Sequence, residues 1–225
     1  MITPFNSHQL FDLNDDLTIH YDKQSRVLFI DNFYKNYCEI TTTLNNFAVD
    51  KWKGRSPDTR NYIDYFDCRL VLGMYNNLKP DDIEQKYIKL FNAIEECLNV
   101  NVDNSRPESS LYHVQFFRHI KTPDSPNVNF VPHIDPNTIN LIVYLDNHCA
   151  GGTSFYESYP DIVQEESNVM IDVCKYKPKF AVNAKPNQAV IFDGNRPHGG
   201  YINNHDIYTQ HWRTSNVMFI PFSYK

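Results

Sequence analysis

The chain has 225 residues, 41% of them hydrophobic and 21% charged, long enough to bury about 70% of the surface its unfolded form exposes without a metal or disulfide staple. Its 21 Lys+Arg against 27 Asp+Glu give a formal charge of −6 with no polybasic run, which argues against nucleic-acid binding that rests on neutralising phosphates. No apolar stretch nears the roughly 18 residues of a membrane span, and the start, MITPFNSHQLFDLNDD, lacks the basic and apolar regions of a signal peptide. The five cysteines (Cys38, Cys68, Cys97, Cys149, Cys174) are odd in number and scattered with no CxxC, and indicate neither a disulfide framework nor a thiolate zinc site. The expectation is a cytoplasmic globular protein with no membrane or nucleic-acid partner.

In chain order, Arg26 to Phe33 (RVLFIDNF) reads as a strand, followed by a helix over Tyr34 to Phe47. Residues 50–62 mix Gly, Pro, Ser and charge and read as a loop; its Trp52, Arg55, Arg60 and Tyr62 either face solvent or grip an anionic or aromatic substrate. A second helix begins near Pro80, a residue suited to a first turn. Its Ile83, Tyr87, Leu90, Phe91, Ile94 and Leu98 recur at helical spacing and predict one buried face. Beyond Pro107, short β-rich runs follow one another: Leu111–Phe117, Ile139–Leu145, Thr153–Tyr156, Asn168–Val173, Phe180–Asn183, Gln188–Phe192 and Trp212–Phe219. Ala150-Gly151-Gly152, Lys185-Pro186-Asn187 and Gly199-Gly200 read as the turns between them. Strands at this spacing suggest a sandwich or barrel, with the two earlier helices as a flank outside it.

The candidate chemistry starts at VPHIDPN, where the i, i+2 spacing of His133 and Asp135 puts both side chains on one face of an extended segment. Their Cα atoms would then lie roughly 6–7 Å apart, and one ion could accept both at about 2.0–2.2 Å. Further on, the strand VIFD empties into a turn that carries His198, and Arg213-Thr214-Ser215 follows on the last strand. Two imidazoles and one carboxylate make the facial triad of non-haem Fe(II) sites, which leaves positions open for substrates. An Fe(II)–carboxylate pair with a dicarboxylate 2-oxo acid bound carries net negative charge, so a buried site calls for a cation. Arg213 offers a fixed-charge fork suited to a carboxylate. On a strand His211, Arg213 and Ser215 share a face, which lets Ser215 donate beside the guanidinium and makes His211 a lining or core residue. His113, His119, His148 and His205 read as structural or exposed.

The order HxD, Tyr144-Leu145-Asp146, Gly151-Gly152-Thr153-Ser154-Phe155, a strand ending in His198, then RxS resembles the iron(II)- and 2-oxoglutarate-dependent dioxygenases. The Gly-Gly and Tyr-Leu elements look most like the prolyl-hydroxylase-like branch, and VLFIDNFY is similar to the opening of several members. The match spans residues 111–220 and, more weakly, 26–48. The resemblance implies a mainly β (α+β) fold, a double-stranded β-helix (jelly-roll, cupin-like) barrel with N-terminal helices packed outside. It also implies one domain over 1–225, with supporting elements in 1–110 and the catalytic jelly roll in 111–220. By position, His133, Asp135 and His198 would bind Fe(II), and Arg213 would hold the distal carboxylate of 2-oxoglutarate. O2 would be the second co-substrate. Tyr112 and Tyr144 would hydrogen-bond the co-substrate or be buried tyrosines with satisfied hydroxyls. The interval from His198 to Arg213, 15 residues, is longer than in the family, and NNHD at 203–206 reads as an added loop.

The implied reaction is hydroxylation of an unactivated C–H bond with release of succinate and CO2. Asp135 stands where halogenases of the superfamily carry Gly or Ala. The acceptor is a peptidyl side chain or a small metabolite; an alkylated nucleobase is disfavoured because Ile207 stands where RxNxTxR places a second Arg. The alternative is a jelly-roll binding or structural protein without turnover.

Overall fold

The computed structural model describes residues 12–46, 53–54, 65–72, 80–103, 114–121, 128–130, 132–157, 170–172 and 178–225. Its logic is plainest in β12 (Ala189–Asp193), where Ala189, Val190, Ile191 and Phe192 are all buried because both faces of the strand are covered. Ala189 and Ile191 join an outer cluster with Tyr87, Leu90, Phe91, Ile94 and Leu98 of helix α2 (Pro80–Leu98). Val190 and Phe192 join an inner cluster with Tyr144 and Phe155. A period of two residues therefore divides one strand between the helix layer and the barrel interior. The helix periodicity is as the sequence predicts; the side chain of Ile83 lies outside the described residues, as do Trp52, Arg55, Arg60 and Tyr62 of the predicted loop.

Among the described residues all strand pairings are antiparallel. The large sheet runs β1 (Thr18–Asp22), β2 (Val27–Asp31), β12, β8 (Thr138–Tyr144), β14 (Arg213–Tyr224), β6 (Val114–Lys121), β4 (Tyr65–Leu72) and β3 (Lys53–Gly54), with β5 (Val100–Val102) also paired to β14. Opposite it, β13 (His198–Ile202), β9 (Gly151–Phe155) and β11 (Phe180–Asn183) pair in the order β11-β9-β13. β10 (Met170–Asp172) pairs with β7 (Val128–Phe130), and the chain just after β7 meets β13 through an antiparallel bridge between His133 and His198. From β6 onward the chain passes back and forth between these layers, staying in the smaller one from β9 through β11, and gives the orders β6-β14-β8-β12 and β7-β13-β9-β11. That is the double-stranded β-helix, or jelly roll.

Three expectations need correction. Gly199-Gly200 is no turn: both residues lie inside β13, opposite Ser154 and Thr153 of β9. Gly151-Gly152 likewise begins β9 rather than ending a turn. A Cβ on Gly152 would sit 1.9 Å from the Val182 carbonyl oxygen, so the glycine serves close backbone approach within a sheet. Helix α1 (Tyr37–Asn46) starts three residues late, because Asn187 clamps the Tyr34 backbone. The Asn187 side chain accepts from Tyr34 N–H at 2.9 Å and donates to Tyr34 O at 2.9 Å. α1 contributes Ile40 and Leu44 to the outer cluster. Among the described residues, no helix is long and apolar enough to cross a membrane.

Candidate metal centre

His133 and His198 face each other because their backbones do. His133 N–H donates to His198 O at 2.8 Å and His198 N–H to His133 O at 2.9 Å, a hydrogen-bonded antiparallel pair that sets the rings side by side with centroids 4.5 Å apart. Asp135 is not on a strand; it lies in the segment leading into β8, its N–H given to Gly194 O at 2.8 Å. Gly194 is needed there, since a Cβ would come within 2.7 Å of the Asp135 and Thr138 carbonyl oxygens. The result brings Asp135 Oδ2 to 3.8 Å from His133 Nε2 and 3.3 Å from His198 Nε2. The three atoms all lie within 4.8 Å of one another. His198 is buried with its ring edge-on to Phe192, while the side chains of His133 and Asp135 keep 29% and 24% of their exposure. The cluster is walled on one side and open on the other.

The donor chemistry fits a divalent transition metal. His198 Nδ1 lies 2.8 Å from the Arg196 carbonyl, which fixes the proton on that nitrogen and leaves Nε2 as a lone pair aimed at the cluster. Two imidazole nitrogens and a carboxylate oxygen are the set that suits Fe(II) with open positions.

Arg213 and Ser215 share the inward face of β14, buried at 8% and 5% exposure, and Ser215 stands opposite Tyr144 in register. Arg213 Nη2 donates to Gly152 O at 3.1 Å, and the Tyr144 hydroxyl lies 2.8 Å from Thr153 Oγ1. Burial pushes the Tyr144 hydroxyl up to about 12, against smaller lowering by Thr153 and the Arg213 charge; it stays a neutral donor through physiological pH. This polar wall of Arg213, Ser215, Tyr144 and Thr153 is what a carboxylate inside the barrel would meet. Tyr112 lies outside the described residues. His211 departs from expectation: β14 begins only at Arg213, and His211 sits exposed in the preceding bend, stacked on His148 with centroids 4.0 Å apart. NNHD lies in the loop between β13 and β14, which contains a short 3-10 helix, Ile207–Thr209.

Two residues escaped the sequence reading. Asn140 lies against Asp135 and His198, and Thr153 against Tyr144. Asn140 left one trace, a polar residue in the apolar strand TINLIVY at the same parity as Tyr144.

No protein-family model matches the sequence, and no curated protein matches it. Solved structures do resemble it. A prolyl-4-hydroxylase from Pseudomonas putida is 12% identical with a TM-score of 0.45, over 97% of this chain and 99% of that one. An oxidoreductase of the 2OG-Fe(II) oxygenase family from Burkholderia pseudomallei is 12% identical with a TM-score of 0.48, over 94% of this chain and 93% of that one. A non-heme α-ketoglutarate-dependent epimerase of nogalamycin biosynthesis is 10% identical with a TM-score of 0.45, over 90% and 80%. The likeness is one of chain trace, and no residue role comes with it.

Proposed function

We propose that this chain is an Fe(II)- and 2-oxoglutarate-dependent oxygenase that hydroxylates an unactivated C–H bond of a peptidyl side chain or a small metabolite. The observation that carries the reading is the convergence of His133 Nε2, Asp135 Oδ2 and His198 Nε2 within 4.8 Å, in a barrel that also buries an arginine. His133, Asp135 and His198 would hold the iron. Arg213 would take the distal carboxylate of 2-oxoglutarate, with Ser215 and Tyr144 as neighbouring donors. When bound, iron and 2-oxoglutarate supply the activation of O2, with succinate and CO2 as the co-products.

The protein's own contribution is placement. The paired backbones of His133 and His198 fix the two imidazoles, and the Arg196 carbonyl fixes the His198 tautomer. Phe192 and Phe155, stacked edge to face at 4.8 Å, keep water from the buried side of His198. The fixed charge of Arg213 orients the co-substrate by its far end, so that its 2-oxo acid end is presented to the metal ligands.

The test is anaerobic addition of Fe(II) and 2-oxoglutarate to the full chain. Wild type is expected to develop the weak visible charge-transfer absorption of a chelated 2-oxo acid, and Asp135→Ala and His198→Ala to lack it. Succinate release against candidate peptides and amino acids then identifies the acceptor. A chain that binds neither iron nor 2-oxoglutarate would instead be a jelly-roll protein without turnover.

A further inference from the structure

Asn140 sits in β8 with 1% of its surface exposed, and every polar atom of its side chain is committed. Its Oδ1 accepts from the Thr138 hydroxyl, which lies 3.0 Å from both Asn140 Oδ1 and Asp135 O. A Cβ at position 194 would come within 2.8 Å of that same Oδ1, so Gly194 leaves the amide its space. The other end, Nδ2, lies against Asp135 Oδ2 in a short hydrogen bond and 3.0 Å from His198 Nε2. The assignment of the two amide ends follows from the partners: turned over, the amide would press its oxygen on a carboxylate.

The consequence lies in the lone pairs. With the His198 proton on Nδ1, its Nε2 is an acceptor, and so is the Asp135 carboxylate, 3.3 Å away. Two acceptors at that separation repel unless a cation or a double donor joins them. The Asn140 NH2 is such a donor, with one N–H for each.

We infer that Asn140 is a positioning residue of the metal centre: its amide bridges Asp135 and His198 and holds the pair converged before the ion arrives. This rests on the metal reading above. The imidazole nitrogen has a single lone pair, so an entering ion displaces the bond to His198. The carboxylate has several, so the bond to Asp135 persists and fixes how that group is presented.

The experiment is Co(II) titration of the full chain under argon, followed by the visible d–d absorption, for wild type, Asn140→Ala, Thr138→Val and Asp135→Ala. Asn140→Ala is expected to bind Co(II) about ten- to a hundredfold more weakly, with altered d–d bands at saturation, because the carboxylate is free to turn. Thr138→Val, which releases the oxygen end of the amide, should shift affinity in the same direction by less. Folded Asn140→Ala that binds Co(II) as tightly as wild type, or more tightly, with the same bands overturns the inference. Should Asn140→Ala fail to fold, unchanged affinity in Thr138→Val overturns it equally. Asp135→Ala separates the two levels: if it binds like wild type, the metal reading itself is wrong, whatever Asn140 does.

Discussion

Arg213 offers two N–H groups in one plane, a geometry that lysine lacks. Replacing it with lysine keeps the charge and loses the fork, which removes about 1.5–3 kcal/mol from a charged hydrogen-bonded contact. Arg213→Lys is therefore expected to raise the Kd for 2-oxoglutarate at least tenfold while Co(II) binding stays as in wild type, read by titrating each separately. Cys149 makes a second test at this scale. Burial, reinforced by the Asp146 charge and only partly opposed by Arg213, pushes its thiol up to about 12, and a thiol reacts as thiolate. Brief iodoacetamide treatment at neutral pH should label the exposed Cys38 and spare Cys149, with Cys149 reacting only in strongly alkaline solution; peptide mass spectrometry reads both. That His133, Asp135 and His198 converge was legible in the sequence because their residue types and order are distinctive. Asn140 was not, since its importance depends on two acceptors that meet only after β8 and β13 are in place.

Among the elements, β9 is constrained on both edges, hydrogen-bonded to β11 on one and β13 on the other. Gly152 faces the Val182 carbonyl with no room for a methyl. Gly152→Ala should cost at least the about 1–3 kcal/mol of an overpacked site, seen as a lowered Tm. Strands with both faces covered, such as β12, were readable from their apolar runs. β1 was missed although TIHYD alternates polar and apolar residues and sets Ile19 and Tyr21 against the outer cluster, because five residues that are nowhere fully buried make a short, weak signal. β13 was missed because His198-Gly199-Gly200 has the composition of a turn while its neighbours β9 and the chain after β7 dictate a strand.

Taken whole, the large sheet mixes early and late chain. β2 pairs with β12, and β4 with β6, so strands from 1–110 complete the sheet that 111–220 begins. The Tyr34 hydroxyl, donating to Asn216 Oδ1 at 2.5 Å, ties the same two regions in the buried outer layer. Denaturant unfolding is expected as one transition, with far-UV circular dichroism and tryptophan fluorescence coincident; two separated midpoints would mean that the halves stand alone. The length of the chain did not reveal this interleaving, because which distant strands adjoin is decided by layer order and not by local pattern. The reciprocal backbone pair of His133 and His198 also closes the small sheet between β7 and β13. Whatever loosens that seam parts the two rings, so an ion held there would act as a rivet on this edge of the barrel, and its escape would require the edge to unzip.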